Sequence, residues 1–211
     1  MAIKPILFNT KMVRAILEGR KSCTRRIVKP QQLIGMLPDK CKSGAPEEFL
    51  KEKKLMFKPY CDMTDIELIN TAYKAPYQPG DILYVRETWG EGYEEGTYIY
   101  RADDKLADLP TFKESSKLIY RPSIHMPKEA ARIWLKVTDV RVQRLQDMDK
   151  MDAVKEGIDP RSCISLGHAL MKFKKLWNST IKKSDLDRYG WDANPWVWVI
   201  EFERCEKPEG V

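Results

Sequence analysis

The alternation of apolar and polar residues changes period several times along the 211-residue chain. In FNTKMVRAILEG, Met12, Val13, Ile16 and Leu17 recur at helical spacing, behind the cap-type residues Asn9 and Thr10. Gly19 is a natural stop, so the predicted helix delivers the residues after it onto a fixed exit. From Gly80 the period shortens. GDILYVRETW places strand formers behind a Pro-Gly-Asp turn, and GTYIYR is a second strand after a Gly-rich turn. In RIWLKVTDVRVQRL, Ile133, Leu135 and Val137 point one way and Trp134, Lys136 and Thr138 the other; a strand this long is expected to bend or carry a bulge. DMDKMDAVKEGI reads as a short helix stopped by Gly157. LGHALMKFKKLWNS puts Leu166, Leu170, Phe173 and Leu176/Trp177 on one helical face. NPWVWVIEFERC is a final strand, with Trp196, Trp198, Ile200 and Phe202 on one side. Strands at varied spacing with a few helices predict an α+β fold built on a small barrel.

Residues 30 to 79 break this pattern. They hold Pro, Gly, Lys and Ser clusters, the lysine-rich KEKKLMFK, and one weak helical stretch near Asp62 to Tyr73. They read as an insertion on a single domain spanning residues 1–211. A chain of this length buries roughly 70% of the surface its unfolded form exposes, enough for a proper core. The net charge is +6, from 37 cations and 31 anions, a mild excess that fits an anionic partner and ordinary solubility equally well. The five cysteines, at 23, 41, 61, 163 and 205, include no Cys-x-x-Cys pair and are expected as reduced thiols of a cytoplasmic protein. His125 and His168 stand isolated, so no metal centre is expected; no cofactor is expected either. No apolar run approaches about 18 residues, and the N-terminal patch is too short for a signal peptide, which predicts a soluble protein without a membrane partner.

The chemistry concentrates in EGRKSCTRRIV, residues 18 to 28, which gathers four cations, a thiol and two hydroxyls behind the first helix. By itself such a stretch reads as a solvated or phosphate-binding loop. Its first part, Gly19-Arg20-Lys21-Ser22-Cys23-Thr24-Arg25-Arg26, fits Gly-x-Lys-x-x-Thr-x-Arg and resembles the signature of the ASCH family. PGDILYVRETW, IWLKVTDVRVQRL, DAVKEGI and NPWVWVIEF follow in that family's order, in a layout similar to ASCH proteins carried by phages and prophages. The resemblance covers residues 5 to 29 and 79 to 204. It implies a PUA-like small β-barrel flanked by helices, with a cleft that takes a nucleotide, a nucleobase or single-stranded RNA.

More distantly, the chain resembles small bacterial ASCH proteins that deacetylate N4-acetylcytidine. Their catalytic residues match Lys21, Thr24 and Glu156. This implies a metal-free amidohydrolase acting on a modified, N4-acylated cytidine-type nucleoside. The chain is much longer than those enzymes, and two other readings stand beside the first: a non-catalytic RNA- or nucleotide-binding module, and a metal-free ribonuclease. A threonine hydroxyl needs a base to become a nucleophile. Lys21 serves only if neutral, a state favoured by the nearby charges of Arg20, Arg25 and Arg26 and opposed by Glu156. Direct contact with Glu156 would instead leave Lys21 to stabilise an oxyanion and Glu156 to move protons.

Arg20, Arg25 and Arg26 are candidates for holding substrate or RNA. Arg86, Glu87 and Trp89, at a strand end, offer a Trp and a carboxylate on one face to a base, or else a core Trp and a rim Glu. Asn194 either reads a base edge or sets the start of the last strand. Trp196 and Trp198 read as core. Cys23 sits among cations that would lower its pKa.

Overall fold

The computed structural model describes residues 1–29, 65–92, 94, 96–104 and 119–210. Residues 30–64, most of the predicted insertion, lie outside the described residues, as does KEKKLMFK. The elements in chain order are β1 (Ile3–Leu7), α1 (Thr10–Leu17), β2 (Cys23–Ile27), α2 (Asp65–Ala72), β3 (Ile82–Arg86), β4 (Trp89–Glu91), β5 (Tyr98–Tyr100), β6 (Trp134–Arg144), α3 (Lys150–Lys155), α4 (Leu166–Thr180), α5 (Leu186–Tyr189) and β7 (Trp196–Cys205). The fold is mixed α+β. Five strands form one sheet in the order β1-β3-β6-β7-β2, with β1 parallel to β3 and the other neighbours antiparallel. β4 and β5 form a separate antiparallel pair.

The alternation along β7 sorts the core into layers. Trp196, Trp198, Ile200 and Phe202 face a cluster with Ile6, Phe8, Val13, Ile16, Leu83 and Leu135. Val197 and Val199, on the other face, pack with Cys23, Leu145, Ala153, Phe173 and Trp177 under α3 and α4. A third cluster gathers Ile82, Trp89, Met126 and Trp134 at the far edge. Ile69 of α2 is fully buried in the first cluster, so the end of the predicted insertion contributes to the core.

Several expectations change. Among the described residues the ladder does not close into a barrel, and β1 and β2 are its edges. A register shift between Val137 and Asp139 supplies the expected irregularity in β6, and such a bulge bends and twists its strand. The edges are brought together by side chains instead of a backbone ladder. Arg26 of β2 donates to the Leu7 carbonyl of β1 at 3.0 Å and lies 5.7 Å from the Phe8 ring centroid. The second half of the motif, expected as a loop, is the edge strand β2, and the N-terminal apolar patch is the strand β1. On α4, Ala169, Phe173 and Trp177 are buried, whereas Leu166 is 43% exposed at the helix start.

Ile200 is fully buried at the centre of β7, paired with both Thr24 and Val140. Ile200→Ala is expected to cost about 2–5 kcal/mol, read as a lower urea midpoint at unchanged slope.

Candidate functional site

The site begins where α1 ends. Gly19, at φ +72°, turns the chain back, and the Ala15 carbonyl receives the backbone N–H of both Arg20 (2.9 Å) and Lys21 (3.0 Å). Only glycine enters this left-handed region cheaply. The next residues run between α3 and β7: Ser22 N–H donates to the Lys155 carbonyl, and the Ser22 carbonyl accepts from Phe202 N–H, both at 2.9 Å. Lys21 and Glu156 form an isolated antiparallel bridge. The motif is therefore tied to the end of α3 before any side chain is considered.

The Lys21 side chain is fully buried. Its ammonium donates to the Cys23 carbonyl (2.6 Å), the Glu156 carbonyl (2.9 Å) and Glu156 Oε2 (2.8 Å). Those three bonds use every N–H the group has. The Phe8 ring lies 5.4 Å away on the core side. Glu156 Oε1 accepts from Arg25 Nη1 (3.2 Å), and Arg25 Nη2 donates to Asp152 Oδ2 (2.6 Å). Asp152 also closes the capping box of α3, accepting from Asp149 N–H while its own N–H donates to Asp149 Oδ1 at 2.7 Å. Two cations and two carboxylates thus form one buried chain: Lys21, Glu156, Arg25, Asp152.

Strand alternation divides the motif by face. Cys23 and Arg25 point toward α3 and α4. Thr24 and Arg26 point the other way, where Thr24 pairs with Ile200 and Arg26 with Trp198. Thr24 is buried, and among the described residues no hydrogen bond joins it to Lys21 or Glu156. Lys21 and Glu156 are in contact, which is the arrangement that pairs a lysine cation with a carboxylate. Cys23 lies among cations, yet its thiol is pushed up to about 12 by burial, with Glu156 adding and Arg25 and Lys21 opposing. Burial outweighs the neighbouring positive charge.

The other sequence candidates are spread over the molecule. Arg20 donates to the Gly157 carbonyl at 2.5 Å and pairs with Glu18. Arg25, expected to hold substrate, is fully buried and committed to carboxylates. Arg86 donates to the Ile124 carbonyl. Glu87 is 1% exposed, not at a rim; Arg132 grips both its oxygens (2.9 and 3.1 Å), and burial still raises its pKa. Trp89 is buried in the third cluster. Asn194 adopts a left-handed φ of 46° and its side chain accepts from Gln146 N–H at 2.8 Å, so it braces the turn before β7. Among the described residues no group of His, Cys, Asp and Glu is placed to hold a metal ion, and no helix is long and apolar enough to cross a membrane.

Two clefts border this region. One, of about 390 Å³, lies between the edge strand β2 and residues 73–77, and is lined by Arg26, Lys29, Lys74, Tyr73, Tyr77 and Trp198. The Tyr77 hydroxyl donates to the Pro5 carbonyl at 2.9 Å, anchoring that wall to β1. The second, of about 400 Å³, lies between α1 and α4 and reaches Glu156. Sequence reasoning missed Asp152, although Asp149 three residues earlier carries the cap signal. Tyr73 and Tyr77 carry no such signal, because their segment reads as part of the insertion.

Lys21→Ala would leave Glu156 buried with half its partners, at an expected cost of about 3–5 kcal/mol. Lys21→Ala/Glu156→Ala is expected to cost less than the sum of the two single changes, as a double-mutant cycle in urea would read. At pH 8, iodoacetamide is expected to label Cys23 far more slowly in the folded protein than in urea, because the buried thiol stays protonated.

No protein-family model matches the chain, and no curated protein matches it. Among solved structures, the crystal structure of an ASCH domain from Lactobacillus crispatus aligns with 96% of this chain and 79% of its own, at 10% sequence identity and a TM-score of 0.38.

Proposed function

We propose that the protein is an RNA- or nucleotide-binding module whose groove lies along β2. The observation that carries this reading is the composition of the groove: Arg26, Lys29 and Lys74 line one concave surface together with Tyr73, Tyr77 and Trp198. Single-stranded nucleic acid is held by this combination, since cations track the phosphates and aromatic faces stack on bases of any sequence. Lys29 and Lys74 are exposed, Tyr73 and Tyr77 are half-buried walls, and Trp198 is the buried floor. Arg26 carries the motif's positive charge to this face, while Lys21 and Arg25 are turned inward and neutralised. An ASCH-type, PUA-like module is the fold this reading assumes, on the strength of the motifs in residues 5 to 29 and 79 to 204.

A second reading is hydrolysis of an N4-acylated cytidine-type nucleoside, favoured by the 2.8 Å contact between Lys21 and Glu156. In it Thr24 attacks the acyl carbon and the amide C–N bond breaks. Glu156 passes the hydroxyl proton to the leaving amine, Lys21 stabilises the oxyanion, and water then cleaves the acyl-threonine ester. For this, Lys21 must surrender one of its three bonds, Glu156 must loosen its hold on Lys21 or Arg25, and Thr24, which faces away from Arg25, must be uncovered and brought to both. The closed geometry of these side chains is why binding is the first reading.

Fluorescence anisotropy with a short single-stranded RNA tests the groove. Lys29→Ala/Lys74→Ala is expected to flatten the slope of log K against log salt by about 1.4, the value for two lost phosphate contacts. Tyr77→Ala is expected to cost about 1–3 kcal/mol of affinity. Wild-type protein that binds no RNA at low salt would sink this reading. Release of cytidine from N4-acetylcytidine by wild type but not by Thr24→Val, followed by chromatography, would establish the second.

A further inference from the structure

We propose that the cleft between α1 and α4 is a phosphate-binding site, which takes the phosphate of a nucleotide or of an RNA chain. It rests on the reading of the protein as an RNA- or nucleotide-binding module and adds a second point of attachment to it. The cavity of about 400 Å³ has Asn9 and Lys11 on the α1 wall, Lys172, Lys175 and Ser179 on the α4 wall, and Glu156 at one side. This volume lies within the range of small-molecule sites.

The charge accounting singles out an anion. Lys172 and Lys175 are three residues apart on α4 and so share a face. Lys11 approaches from the opposite wall. Among the described residues none of the three has a carboxylate partner. Lys172 is held only by neutral acceptors, the Ser162 carbonyl (2.5 Å) and hydroxyl (2.9 Å). The two acids at the cleft are already answered. Glu156 gives Oε2 to Lys21 and Oε1 to Arg25. Asp159 is paired with Arg161, whose hydrogen bonds hold its carboxyl below the usual carboxylate range, with Arg20 adding to the effect. The acids are therefore neutralised within the protein and the lysines are not. Three cations around one concavity give it a positive potential that attracts an anion.

The geometry of the donors favours phosphate over carboxylate. Separate lysines from opposite walls act as point charges around a tetrahedral group with several acceptor oxygens, whereas a planar carboxylate is better met by one bidentate arginine. β1 leads from the groove toward this cleft. Arg26 of that groove binds the Leu7 carbonyl, and Asn9, two residues further on, lines the cleft. Two residues span at most about 7 Å of chain.

Inorganic phosphate is the first probe, followed through amide chemical shifts. Saturable shifts at Asn9, Lys11, Gly157 and Lys175 are expected, with affinity at least about tenfold weaker in Lys11→Ala/Lys175→Ala. These are exposed positions, and an unchanged urea midpoint would verify folding. Absence of shifts in the cleft, or equal affinity in the double variant, would overturn the proposal. Competition then separates the sources. Displacement by cytidine 5′-monophosphate but not cytidine assigns a nucleotide phosphate, and displacement by RNA lacking a terminal phosphate assigns the backbone. Displacement by neither overturns the site as one for nucleotides or RNA. Lys29→Ala/Lys74→Ala is expected to weaken RNA while leaving inorganic phosphate unaffected. The groove reading and the phosphate cleft therefore fail separately: loss of one in these titrations leaves the other standing.

Discussion

Much of this structure hangs on the ammonium of Lys21. It lies out of solvent and spends its three hydrogen bonds on two elements, the start of β2 through the Cys23 carbonyl and the end of α3 through Glu156. A buried cation with that few partners tolerates no loss, because an unpaired charge in the interior is far costlier than an absent one. The backbone reinforces the tie. Arg20 reaches the Gly157 carbonyl, and Ser22 N–H the Lys155 carbonyl, so three consecutive residues hold three consecutive residues. Gly157 is part of the same constraint. Its φ is +102°, and a methyl group there would stand 2.9 Å from Ala15 Cβ and 3.3 Å from Lys21 Cβ.

The second organising fact is that β2 is an edge strand with chemistry on both faces. Arg25 goes inward to Asp152 and Glu156, while Arg26 goes across the gap to β1 and into the groove. One face thereby becomes a closed ionic lattice that fixes α3 against the sheet, and the other carries Arg26 to the groove. Neighbouring arginines in one motif have opposite fates because side chains in a strand alternate. Among the described residues, Lys29 and Lys74 of the groove, Lys11 of α1 and Lys172 and Lys175 of α4 have no carboxylate partner, whereas Lys174 of α4 pairs with Asp192 at 2.7 Å.

Most of the elements have causes that lie within a few residues of chain. The period of Met12, Val13 and Ile16, the capping Asn9, the alternation from Trp196 to Phe202 and the stop at Gly157 each have a local cause, and each is found where that cause puts it. A bend in β6 was also legible, since a strand of that length rarely stays regular. The tertiary structure alone decided the rest. β2 could not be read as a strand because its alternation sets charged Arg25 against charged Arg26, and no hydrophobic contrast marks the two faces. Whether Lys21 met Glu156 depended on packing across 135 residues of chain. That Arg25 is buried and Arg26 is not, that Asn194 braces a turn, and that Tyr73 and Tyr77 form a wall of the groove are outcomes of long-range pairing. Local propensity and periodicity act over a few residues, whereas burial and partner choice are fixed only when distant segments meet.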